Sequence, residues 1–142
     1  MKKSLFILIS ITVIAILIIT YLIYNHQMAV NRNAKANLEY ENYTVNNILG
    51  SSLMTLINKV IDSNQQNDVQ KDEKGMFISN DENSIIIEVK FIESENVFRM
   101  EAISKLGSES FIRNYNTMSF KCTKKEYHKN TKLISYLYFE QV

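Results

Sequence analysis

The sequence predicts an α+β protein: a long N-terminal helix that begins as a membrane span, continues as an amphipathic helix and packs on a four- to five-stranded antiparallel β-meander. Three observations predict it. Residues Leu5 to Tyr24 carry no charge and are interrupted only by Ser10, Thr12 and Thr20. From Val45 to Ile61 the apolar residues recur at the three- and four-residue steps of one helix face. After Ser84, alternating apolar and polar runs are separated by short polar connections, the pattern of half-buried strands.

Twenty helical residues rise about 1.5 Å each and span about 30 Å, the hydrocarbon thickness of a bilayer. Residues 4–24 therefore read as a transmembrane helix preceded by a tail, residues 1–3. A cleaved signal is the rival reading, but its apolar core is usually about 7 to 15 residues with a cleavage site close behind. The nearest small-x-small pattern here, Ala34-Lys35-Ala36, lies ten residues beyond Tyr24. Lys2 and Lys3 precede the span and the next charge is Arg32. The positive-inside preference then places the N-terminus in the cytoplasm and the rest outside.

Residues 25–44 are polar, contain no Pro or Gly and carry Ala29, Ala34 and Ala36, so the helix is expected to run on as a stalk. Residues 45–142 form the extracytoplasmic domain. Its first element is the stripe Val45, Ile48, Leu49, Leu53, Leu56, Ile57, Val60 and Ile61, expected to continue the same helix and to cover the sheet. Gly50 interrupts it, either as a kink or close contact or without benefit. The polar run from Asp62 to Asp68 ends the helix.

A short strand is expected over Met76 to Ser79, and a turn at Asn80-Asp81-Glu82-Asn83. Ser84 to Ile92 is the clearest strand, with Ile85, Ile87, Val89 and Phe91 on one face. Val97 to Ser104 alternates through Phe98, Met100 and Ala102. Glu109 to Tyr115 reads as a helical turn, and Thr117 to Thr123 and Lys132 to Glu140 as the last strands. Short connections favour antiparallel neighbours.

Gly occurs three times and Pro and Trp never, while Asn, Ile and Lys abound, a bias that an A+T-rich bacterial genome encodes. The lone Cys122 cannot form an internal disulfide and alternates with Met118 and Phe120, the position of a buried small side chain. His26 follows the span, and His128 stands six residues after Cys122 with no further Cys or His in the domain to complete a zinc site. Three scattered glycines make no phosphate loop. The acidic pairs Asp72-Glu73 and Asp81-Glu82 sit in loops, where solvated charge is expected. No catalytic or cofactor-binding residue, and no small-molecule substrate, is expected.

Charge is uneven: residues 25–110 carry net −5 and residues 111–142 net +4. The basic run Lys121, Lys124, Lys125, Lys129 and Lys132, interleaved with Tyr127 and His128, is the candidate site for an anionic ligand: DNA, a wall polymer or lipid headgroups.

The order of elements, a tiny tail, an apolar helix, an amphipathic helix and an antiparallel sheet, resembles type IV pilins and pseudopilins. It also looks like the small single-pass proteins of the pilus alignment subcomplex, which keep an uncleaved anchor. The chain departs from the pilin pattern at two positions, with Ser4 rather than Gly before Leu5 and no Glu before Tyr24. The resemblance implies a non-enzymatic, single-pass subunit of a bacterial envelope assembly, with the lipid bilayer and other assembly proteins as partners. The alternative is an anchored surface module that captures an anionic polymer through the basic run.

Overall fold

The structure, a computed structural model, describes residues 2–142, with Lys2 described by its backbone alone. Met1, where the expected cytoplasmic tail starts, lies outside the described residues. The first element, α1, is one 40-residue helix, Lys2–Glu41. Every side chain from Lys3 to Arg32 is exposed. The hydroxyls of Ser10, Thr12 and Thr20 donate to the carbonyls of Phe6, Leu8 and Ile16 one turn back. These three hydroxyls are thus satisfied within the helix, as polar groups that face lipid must be. Only the end of α1 meets the domain, through Asn33, Asn37 and Tyr40 at helical spacing and through Glu39 and Glu41, which pair with Lys59 and Lys125.

The helix does not run on to Ile61. It closes with three-residue turns, Tyr43 N–H to Tyr40 O and Thr44 N–H to Glu41 O. Asn42 to Asn47 includes β-branched Thr44 and Val45 and three Asn, all weak helix formers. Val45, at 76% exposure, and Leu49 therefore leave the expected stripe. After β1 (Ile48–Leu49) the chain re-enters a helix, α2 (Gly50–Gln66).

The remaining elements are β2 (Ile86–Lys90), β3 (Val97–Arg99), α3 (Met100–Lys105), α4 (Ser108–Tyr115), β4 (Ser119–Tyr127) and β5 (Ile134–Gln141). The five strands form one sheet in the order β1-β4-β5-β2-β3. The expected meander is corrected here. β2 and β5 run parallel, with Ile86 opposite Tyr136 and Lys90 opposite Glu140, while the other pairs are antiparallel. The cause is the connection from β3 to β4, which two helices lengthen enough to carry the chain off the β3 edge. The β4–β5 hairpin then returns with β5 against β2.

As expected, α2 covers the sheet. Leu53, Leu56, Ile57 and Val60 are fully buried in one core with Ile87, Val89, Phe120, Leu137 and Phe139. At its end, Asn64 clamps the start of β2: Nδ2 donates to Ile85 O at 2.7 Å, and Ile85 N–H donates to Oδ1 at 2.9 Å. The expected turn forms, with Asn80 Oδ1 accepting the N–H groups of Glu82, Asn83 and Ser84. The strand expected over Met76 to Ser79 reduces to a single bridge between Lys71 and Phe77.

The strand expected to reach Ser104 stops at Arg99 and becomes α3. Met100 and Ile103, three apart, are both buried, so a helix turn satisfies the core where alternation would have exposed Ile103. Glu101 is also buried here. Its Oε1 accepts from Arg99 Nη2 at 2.9 Å and from Phe77 N–H at 2.8 Å.

Candidate interaction surface

The β4–β5 hairpin lies along the end of α1, and its polarity follows from three contacts. In the turn, the carbonyls of Thr131 and Lys132 accept from Asn33 Nδ2 and Asn37 Nδ2, each at 2.7 Å. Ile134 N–H donates to Asn37 Oδ1 at 2.9 Å. Two turns further along α1, Glu41 Oε1 accepts from Tyr127 OH at 3.3 Å and lies 3.7 Å from Lys125 Nζ. β4 therefore runs back toward the apolar segment, and the turn between β4 and β5 is the part of the hairpin nearest to it.

The five lysines singled out by sequence do not make one patch. Lys121 and Lys124 sit on the sheet face turned away from α2, opposite Glu140 and Tyr138. Lys124 Nζ is 2.7 Å from Glu126 Oε1 and 5.4 Å from the Tyr136 ring centroid. Lys125, across an irregularity at Thr123, turns toward α1 and Glu41. Only Lys129 and Lys132 belong to the turn. Both are exposed, no ion pair among the described residues engages either, and Lys132 has φ +59°.

Elsewhere the outer face alternates in sign. Tyr136 OH donates to Glu88 Oε2 at 2.6 Å. Burial, and then the Glu88 carboxylate, push the Tyr136 hydroxyl well above the ordinary phenol range. Sequence reasoning placed Tyr136 on a strand without finding this partner, because parallel β2–β5 pairing creates it. It missed Asn33 and Asn37 too, although their i, i+4 spacing in a polar helix was a usable signal.

His128 is buried at the base of the turn, and its Nε2 lies 2.8 Å from Ser84 O. A carbonyl only accepts, so Nε2 carries the proton and His128 ties the turn to β2. Cys122 is half-buried against the core beside Phe120, whereas Met118 falls before β4 and is exposed. Burial pushes the Cys122 thiol above its ordinary range, and Sγ lies 3.4 Å from Lys124 O. Among the described residues, no three His, Cys, Asp or Glu side chains converge as metal ligands.

The opposite end of the sheet is apolar. Leu49 pairs with Ser119, Met118 accepts from Gly50 N–H through its carbonyl, Val142 N–H donates to Ser119 O, and Ile92 N–H reaches Gln141 Oε1. The side chains of Leu49, Met118, Val142 and Ile92 are all exposed, Ile92 at 69%. Beside them Phe91, Phe98, Ile103, Leu106, Phe111 and Tyr115 line a hollow of about 250 Å³. No protein-family model, curated protein or solved structure matches this chain, so what it resembles rests on the order of its elements alone.

Proposed function

We propose that the chain is a non-enzymatic, single-pass membrane protein that serves as a subunit of a bacterial envelope assembly, of type IV pilus or pseudopilus kind in its order of elements. The observation that carries the reading is α1: an apolar run from Leu5 to Tyr24 that no part of its own domain covers, joined to that domain through its last turns, from Asn33 to Glu41. So much exposed apolar surface is stable only in lipid or against other chains. The apolar end of the sheet supports a protein partner, because four exposed apolar side chains adjoin a hollow lined by aromatics.

The test is extraction of the native protein from membranes in mild detergent, followed by intact mass and identification of co-purifying proteins. The expected result is a full-length, uncleaved chain with envelope proteins attached, and loss of those proteins from the Ile92→Glu, Val142→Glu variant. A soluble truncated chain overturns the anchor. A full-length chain without partners, indifferent to the double substitution, overturns the assembly role.

A further inference from the structure

We infer that the turn between β4 and β5 is a headgroup-contacting foot: Lys129 and Lys132, with Arg32 of α1, engage anionic phospholipids of the membrane in which the chain is anchored. The inference rests on the anchor reading proposed above and deepens it. Its first support is height. Asn33, which holds the Thr131 carbonyl, is nine residues beyond Tyr24, so the turn lies about 13 Å along the helix from the end of the apolar run. A headgroup layer accounts for roughly 5 to 8 Å of that distance, and any tilt of α1 reduces it. The remaining gap is within a Debye length of about 8 to 10 Å.

The second support is charge. Lys129 and Lys132 are exposed and outside any ion pair among the described residues, as is Arg32 one position before Asn33. Two acids stand nearby. Glu82 O accepts from Thr131 Oγ1 at 2.7 Å, and Asp81 shares a hollow with Lys129 and Asn130. Three cations against two acids leave a modest excess, and the turn places its lysines at the rim. Lys124 and Lys125 are spoken for by Glu126 and Glu41, and Lys125 is two helical turns higher on α1. That separation selects lipid over a long polyanion, which would need all five lysines on one track.

The third support is rigidity. Asn33, Asn37 and His128 fix the turn to α1 and β2, so the lysines are held at this height without ordering a loop on contact. The test uses the full chain carrying Cys122→Ser and Asn130→Cys, labelled with a fluorophore at position 130 and inserted by its own anchor into vesicles. The vesicles are phosphatidylcholine alone or mixed with phosphatidylglycerol, and each contains a lipid with a quencher on its headgroup.

At least twofold more quenching is expected in the mixed vesicles. It should fall to the neutral-lipid level in about 1 M salt, where the Debye length is about 3 Å, and in the Lys129→Gln, Lys132→Asn variant. Asn suits the left-handed backbone at position 132, and an unchanged circular dichroism spectrum verifies folding. A label at Glu95→Cys, at the opposite end of β2, should stay unquenched. Equal quenching in both lipids, or an anionic response that survives the double substitution, overturns the proposal. So does capture of soluble duplex DNA by Lys129 and Lys132 without a lipid response. Failure of the protein to float with vesicles overturns the anchor reading itself, a different result from a floating protein that ignores lipid charge.

Discussion

Gly50 shows how a single missing Cβ sets the junction between helix and sheet. A Cβ at this position would lie 2.0 Å from Tyr115 O, the last residue of α4, and Gly50 N–H is meanwhile bonded to Met118 O at 2.9 Å. The backbone cannot yield without losing that bond. Gly50→Ala is therefore expected to destabilise the domain by about 1–3 kcal/mol despite alanine's better helix propensity, read as a lowered urea midpoint in detergent. A midpoint unchanged or raised would show that α4 moves away freely. Tyr136 gives a pH dependence of definite sign. Its hydroxyl is held above the ordinary value near 10, so folding stability is complete below about pH 10 and falls as pH rises further, because the unfolded chain releases that proton first. Tyr136→Phe should flatten the alkaline limb of a stability profile, and an identical limb in the variant would assign it to other groups. Cys122, its thiol raised by burial, should react with iodoacetamide at neutral pH several-fold more slowly in the folded protein than in urea.

Among the elements, those with a strong local period were legible. The apolar run in α1, the stripe in α2 and the strands β2, β4 and β5 all announce themselves within ten or twenty residues. What stayed hidden depends on partners distant in sequence. Alternation tells that Ile87 and Leu137 face a core, yet nothing in it says that the two strands are parallel neighbours. Phe98, Met100 and Ala102 alternate as a strand would, while Met100 and Ile103 fit a helix equally, and the core at the β3 edge decides between them. The basic run is not one patch because nearness in sequence is not nearness on a face: strand alternation sends Lys124 and Lys125 to opposite sides, and the irregularity at Thr123 puts Lys124 on the side of Lys121. Asn37 is the side chain on which the α1 attachment turns, bonding Lys132 O and Ile134 N–H at once. Asn37→Ala leaves both without that partner and is expected to cost about 1–3 kcal/mol, seen as exchange of the Ile134 amide faster by tenfold or more. Unchanged exchange there would mean that α1 is held by Asn33, Tyr40 and the ion pairs of Glu39 and Glu41 without it.

At the scale of the whole molecule, the chain has two parts, an uncovered apolar helix and a domain with its own core, linked by a short polar stretch of helix. The domain owes nothing to the apolar run for its core: the buried apolar residues begin at Tyr40 and continue through Phe139, and Lys3 to Arg32 cover none of them. Burial of apolar area is the main favourable term in folding. Residues that bury none against the domain should therefore contribute little to its stability. A chain beginning at Arg32 keeps the hydrogen bonds of Asn33 and Asn37 and the packing of Tyr40, and loses only a helix exposed along its length. It is expected to be a soluble monomer unfolding within about 1 kcal/mol of the domain in the detergent-solubilised full chain, the scale of an altered helix end. Deleting nine more residues, through Tyr40, should do far more damage, since it removes a buried aromatic and exposes the Ile134 amide. Comparable stability of the two truncations would mean that the end of α1 merely leans on the hairpin. Loss of folding already on removal of Leu5 to Tyr24 would mean that the apolar run meets the domain in the native protein, and α1 would then be a packing helix rather than a free anchor.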